Sequence, residues 1–215
     1  MIQPEAKIII SCFEEDFDWI KDYTDNYLIY NKGEPIDDLH VINTENIGNN
    51  QRDIFKFIYD FYDNLPELMA FIQADPFDHC KKEIFDKLIY NISFTPLEFY
   101  GSTPANSLEK RSDDGGFMEH NNSWYIKAVN ATYGVVCQYS SFDQFMKKFF
   151  SNYIHVDWIR FSPGSQYIIE KRQAKYYSRV FWKKLMDELP RYYMSEGHII
   201  ERALWLILQC NLTER

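Results

Sequence analysis

The apolar positions fall in short blocks whose spacing predicts alternating strands and helices. Lys7 to Cys12 is a β-rich apolar run and forms the first expected strand. Phe13 to Trp19 follows as a polar turn leading into a short helix. Asn26 to Tyr30 and Leu39 to Asn43 are two more short strands, the first closed by Asn31-Lys32-Gly33. Gly48-Asn49-Asn50 marks a turn, with Asn49 or Asn50 as the cap of the next helix. From Gln51 to Tyr62, Ile54, Phe55, Phe57, Ile58 and Phe61 have helical spacing with one buried face. Asp63-Asn64-Leu65-Pro66 ends that helix. The apolar run from Leu68 then breaks into Asp75-Pro76-Phe77-Asp78-His79. A continuous apolar run bounded by turn signals predicts a strand buried on both faces. Pro76 has no N–H for the ladder and stops it. Lys81 to Asn91 is the next helix. Strands alternate with helices through the first ninety residues, the pattern of an α/β chain with a mostly parallel sheet.

The second half is less regular. Residues 93–114 read as a long irregular loop, with prolines at 96 and 104. Trp124 to Val129 and Tyr133 to Tyr139 hold strand-like residues. Phe142 to Phe150 is a helix with a buried aromatic face. Gln166 to Glu170 is a short strand after Ser162-Pro163-Gly164. Ala174 to Leu189 is one amphipathic helix carrying Tyr177, Val180, Phe181 and Leu185. Ser195 caps a last helix running to Cys210, on which His198, Glu201 and Arg202 share a face. No internal repeat or linker divides the 215 residues, so a single domain is expected.

Composition narrows the functional classes. Hydrophobic residues make up 46% of the chain and aromatics 18%, which excludes a disordered chain. A net charge of −9 argues against non-specific nucleic-acid binding. No apolar run reaches membrane-spanning length. The start has neither a basic region nor a long apolar core, so no signal peptide is expected. Cys12, Cys80, Cys137 and Cys210 are far apart and form no CxxC pair. That pattern fits reduced thiols in a cytoplasmic protein.

The candidate chemistry gathers at expected strand ends. Asp75, Asp78 and His79 sit at the carboxyl edge of a buried strand, where open α/β sheets bind ligands. Carboxylate oxygens suit hard cations, and one or two carboxylates plus substrate phosphates is the usual way Mg²⁺ is held. The competing reading is a turn with Asp78 or His79 capping a helix. The backbone of Ser11, Cys12 and Phe13 is a nucleotide-contact edge. For Glu14, Glu15 and Asp16 an acidic helix start is the simpler account. Arg52 and Asp53 lie in the first turn of a helix, where Arg52 either pairs with phosphate or uracil or is a solvated surface residue. Asp113-Asp114-Gly115-Gly116 is either a second acidic site or a surface turn. His198, Glu201 and Arg202 are either functional or a salt-bridged face.

Several segments match one pattern in order: Ile8 to Asp16 with Trp19, Tyr30-Asn31-Lys32-Gly33, Tyr62 to Pro66, Phe71 to His79, and Glu201-Arg202-Ala203-Leu204-Trp205. The chain resembles a GT-A-type glycosyltransferase family known largely as a domain of unknown function. Within it, the likeness is to the amino-terminal domain of chlorella-virus capsid-glycan transferases. The tract from Gln73 to His79 is the most specific element, and about 93–140 carries little of the pattern. The resemblance implies a GT-A-like fold: a central mixed, mostly parallel sheet flanked by helices, with a nucleotide-binding half over about 1–92 and an acceptor-binding half over about 93–215. It implies a UDP-sugar donor, a glycan acceptor on a viral capsid glycoprotein, and Mn²⁺ or Mg²⁺. The family's Asp-x-Asp is here Asp75-x-x-Asp78, with Asp78 the favoured metal ligand, Asp75 second and His198 a third contact. Ser11, Cys12, Phe13, Lys32, Arg52, Asp53 and Asp75 would hold the nucleotide-sugar. Glu201, or second Glu196, would be the general base, and inversion at the anomeric carbon would follow. The end of the chain directly after a helix fits a domain drawn from a longer polypeptide. A glycoside hydrolase with paired carboxylates and a non-catalytic glycan- or protein-binding module are the competing readings.

Overall fold

The computed structural model describes residues 4–98, 108–111, 117–118, 138–190 and 195–215. Strand β1 (Lys7–Cys12) is central and pairs in parallel with β2 (Tyr27–Asn31) on one side. Beyond β2 lies β3 (Val41–Asn43), also parallel. On its other side β1 pairs in parallel with β4 (Leu68–Gln73). The sheet continues through β9 (Tyr167–Glu170) to β5 (Thr95–Pro96), giving the order β3-β2-β1-β4-β9-β5. Both pairings of β9 are antiparallel. The sheet is therefore mixed rather than mostly parallel. A separate three-stranded sheet joins β6 (Leu108–Arg111), β7 (Phe117–Met118) and β8 (Trp158–Arg160), with β6 in the middle.

Period-two alternation sends the strand side chains into two cores. Ile9, Met69, Phe71, Tyr167 and Ile169 face one layer, and Ile8, Ile10, Ala70, Ile72 and Ile168 face the other. Both faces are covered, which is why β1 and β4 are continuous apolar runs. The first face is covered by α1 (Asn49–Asp60), α3 (Phe142–Phe149), α5 (Arg179–Asp187) and α6 (Ser195–Leu208). The second is covered by α2 (Lys82–Leu88) and the 3₁₀ turn at Asp18–Asp22.

Several local expectations change. The single helix expected over Ala174 to Leu189 is two: α4 (Lys171–Tyr176) and α5. Ser178 breaks it, being extended and accepting the Phe181 N–H on its hydroxyl at 3.1 Å, a side-chain cap that starts a new helix. Neither Asn49 nor Asn50 caps α1. Gly48 does so without a side chain, at a left-handed φ of 74°. The expected loop over 93–114 contains β5 and β6. Asp113 and Asp114, Trp124 to Val129 and nearly all of Tyr133 to Tyr139 lie outside the described residues.

Trp182 is fully buried, lies between Phe55 and Tyr177, and donates its indole N–H to the Ala174 carbonyl at 2.8 Å. Trp182→Ala removes that packing, and a loss of about 3–5 kcal/mol is expected from buried aromatic truncations. Chemical denaturation reads it as a lowered midpoint at unchanged slope.

Candidate functional site

The chain runs from β1 outward to β2 and β3, then returns to the opposite side of β1 as β4. That reversal makes a crevice at the carboxyl ends of β1 and β4, the place where open α/β sheets hold ligands. A cleft of about 540 Å³ lies there. The loop after β1, the loop after β2, the amino end of α1, the turn after β4, the turn before β9 and the amino end of α6 all line it.

Under the cleft lies a buried charge cluster. The Lys32 ammonium is 2.8 Å from Asp53 Oδ2, and both side chains are nearly inaccessible. Ser11 Oγ donates to the same oxygen at 2.5 Å, and Lys32 Nζ also donates to the Asn49 carbonyl at 2.5 Å. Burial raises the Asp53 carboxyl from its ordinary value, against the opposing pull of Lys32, Ser11 and Arg52. Lys32 has three donors, and these contacts use two. Asp53 thus serves beneath the cleft wall as the partner of Lys32.

The loop after β1 brings Ser11, Cys12 and Phe13 to the cleft. The N–H groups of Phe13 and Glu14 are taken by the Glu15 carboxylate, at 2.7 and 3.2 Å. Cys12 is buried, which pushes its thiol up to about 11 and keeps it protonated. Its contribution at the cleft is therefore backbone and bulk. Trp19 ties this loop to the next wall by donating to the Ala74 carbonyl at 2.8 Å.

That next wall is the acidic turn. β4 ends at Gln73, and Pro76–Asp78 forms a 3₁₀ turn with Pro76 at its start. Asp75 and Asp78 are exposed and line the cleft together. Partial desolvation and then the charges of Asp78 and Glu15 raise the Asp75 carboxyl, with His79 pulling the other way. Crowded carboxylates of this kind favour either a proton or a cation. Among the described residues no group of three or more His, Cys, Asp or Glu is arranged to hold a metal. Paired carboxylates such as Asp75 and Asp78 are the oxygen donors that hard cations such as Mg²⁺ and Mn²⁺ take, the remaining positions being filled by oxygens of a ligand or water. His198 lines the same cleft without joining Asp75 and Asp78 in such a group.

Helix α6 supplies the facing wall. Gly197, His198 and Glu201 line the cleft. Glu201 Oε1 accepts the Gly164 N–H at 2.7 Å, and its Oε2 pairs with the Arg202 guanidinium. The Arg202 guanidinium also stacks on the Phe161 ring, 4.2 Å from its centroid. Glu196 is not in the cleft. It is buried 1% exposed, accepts the Gln138 N–H at 2.7 Å, and has no hydrogen-bond partner at Oε2 among the described residues. Arg52 is also elsewhere: its guanidinium donates to the carbonyls of Met186 and Leu189 at the carboxyl end of α5.

The structure adds cleft residues that spacing did not single out: Asn46, Gln51, Gln73, Gly164 and Gly197. One signal was available, since the stretch from Asn43 to Gln51 carries amides at 43, 46, 49, 50 and 51. The two glycines gave none, because their role is close approach between distant segments. A Cβ on Gly164, itself at φ 67°, would stand 2.7 Å from both Gln73 Oε1 and His79 Cδ2.

A family described as "Protein of unknown function (DUF3431)" matches residues 8–99, the stretch that holds β1 to β5 and the acidic turn. No curated protein and no solved structure matches the chain.

Two outcomes test the site. Lys32→Met strands a buried carboxylate and is expected to cost about 3–5 kcal/mol, with Lys32→Met/Asp53→Leu less harmful than the single change. Urea unfolding of the wild type, the single variant and the double variant measures this. Burial, then Arg202, lowers His198 to about 3. Between pH 6.5 and about 3 the unfolded chain binds a proton that the folded chain does not, so stability falls as pH falls through that window. His198→Gln should flatten that part of the stability profile.

Proposed function

We propose that this chain is a metal-dependent glycosyltransferase that moves a glucose- or rhamnose-type hexosyl unit from a UDP-sugar to a glycan acceptor. The observation that carries this is the charge balance of the cleft. Among the described residues Glu15, Asp75, Asp78 and Glu201 line it; Lys32 there is paired with Asp53 and Glu201 with Arg202, which leaves Glu15, Asp75 and Asp78 as the acids outside those ion pairs. A site so acidic repels a bare diphosphate. It accepts one that arrives with a divalent cation, and the crowded Asp75–Asp78 pair is the place for that ion. The placement of this pair after a central strand, at the switch point of the sheet, agrees with the family resemblance.

When bound, the cation would neutralise the departing diphosphate. Asp75 and Asp78 would hold it, with Asp78 the first ligand. Lys32 would direct its remaining N–H at a phosphate oxygen. The loop at Ser11 to Phe13 would border the nucleoside. Glu201, which lines the cleft on the wall facing the Asp75–Asp78 turn, would accept the acceptor hydroxyl proton as general base. Single displacement from the face opposite the leaving group inverts the anomeric carbon. Glu196 and Arg52, which do not line the cleft, carry no step.

One observation favours a second reading, a non-catalytic glycan-binding module: both Glu201 oxygens are already engaged. Thermal unfolding with UDP, with GDP and with neither, each with and without Mn²⁺, separates the two. UDP with Mn²⁺ alone should stabilise the protein, by about 2.7 kcal/mol at a hundredfold excess over Kd. Asp78→Ala should abolish the shift. No shift with any nucleotide sinks the transferase reading.

A further inference from the structure

The amino end of α1 forms a wall of the cleft whose chemistry differs from the rest. It presents Asn49, Asn50 and Gln51, with Asn46 just before it, and no charged side chain. No side chain caps the helix, so its first N–H groups have no intrahelical partner. The helix is twelve residues long, and its opening turn faces the cleft.

A second observation points to a ligand. Gln51 is 4% exposed, and its Nε2 donates to Ser165 Oγ at 2.9 Å. Its Oε1 has no hydrogen-bond partner among the described residues. A buried carbonyl left without a donor keeps its desolvation cost uncompensated. The residue above is Gly197, whose missing Cβ would lie 3.8 Å from Gln51 Oε1 and 2.7 Å from Asn49 Nδ2. The Asn49 amide is half-buried and makes no side-chain hydrogen bond among the described residues. Asn50 is committed, donating to the Gly164 carbonyl.

We propose that this wall is a hexose subsite, in which Gln51 Oε1 and the Asn49 amide take adjacent sugar hydroxyls. The groups offered are neutral donors and acceptors side by side. A vicinal diol answers both, because each hydroxyl donates one hydrogen bond and accepts others. The buried Gln51 Oε1 calls for a donor, which a hydroxyl supplies and a bare anion does not. Gln51 is then the residue that discriminates among sugars: a site built to bond a hydroxyl rejects analogues that lack it. This assignment rests on the transferase reading only for the source of the hexose, the donor's own sugar.

The test is calorimetric titration of the full chain and of Gln51→Ala, with UDP–Mn²⁺, UDP-glucose–Mn²⁺ and methyl glucoside as probes. The expected result is a loss of about tenfold or more in UDP-glucose affinity in the variant, with UDP affinity unchanged. Asn49→Ala, which alters a half-buried side chain, should show the same split if Gln51→Ala does not fold. Equal loss for UDP and UDP-glucose, or no loss for either, overturns the subsite and leaves the transferase reading standing. Failure of the wild type to bind UDP, with methyl glucoside still bound and lost in the variant, overturns the transferase reading and leaves the subsite. Binding of no probe overturns both.

Discussion

The cleft depends on one buried ion pair. Lys32 comes from the loop after β2 and Asp53 from the first turns of α1, and they meet beneath Ser11 at the end of β1. Three segments distant in sequence are thereby held at one point. The geometry is well satisfied, with Asp53 Oδ2 accepting from Lys32 and Ser11, and Lys32 also held by the Asn49 carbonyl. Such a pair adds little net stability over an apolar replacement, but losing one partner is costly. Its effect here is positional: it fixes the uncapped end of α1 against the carboxyl edge of the sheet. Without it the amide wall and the β1 loop would have no common reference.

The antiparallel strand does the corresponding work on the other side. Tyr167 lies opposite Phe71, so the chain entering β9 passes the carboxyl end of β4. That direction delivers Gly164 and Ser165 to the cleft. A parallel β9 would have placed its entry at the far edge. Gln166 secures the junction, accepting the Gln73 N–H at 3.3 Å and donating to the Pro76 carbonyl at 3.2 Å. Gly164 is then confined between Gln73, His79 and the Asn50 amide, which explains the absence of a side chain.

Much of the first half was legible because local pattern determines it. β1, β4 and α1 follow from apolar runs and helical spacing, and Pro76 ends β4 where a missing N–H requires. Asp75 and Asp78 were found from that same break. The rest depends on long-range partners. Nothing local distinguishes a strand that enters the sheet antiparallel, so β9 was foreseen as a strand but not by direction. Arg52 sits in a first turn, yet the carbonyl ends of α5 claim it. Glu196 and Glu201 are both acids of the same helix, and only packing decides which one meets the cleft. Ser178 broke an expected helix because its hydroxyl competes for a backbone N–H, an option that apolar spacing does not weigh.

The two walls of the cleft divide the work between them. Acids cluster on the β1 loop, the turn after β4 and α6, while the α1 wall is neutral. With a net charge of −9 on the chain, the long-range field also opposes an approaching diphosphate. Under the proposed transferase reading, cation and nucleotide binding would be coupled: each would relieve the repulsion that hinders the other, and linkage would require the same free energy in both directions. The neutral wall would be exempt from that coupling, since a sugar hydroxyl carries no charge for the acids to repel. On that reading, such a cleft would couple affinity for the charged half of a nucleotide-sugar to the cation, and leave recognition of the uncharged half to amides on a helix end.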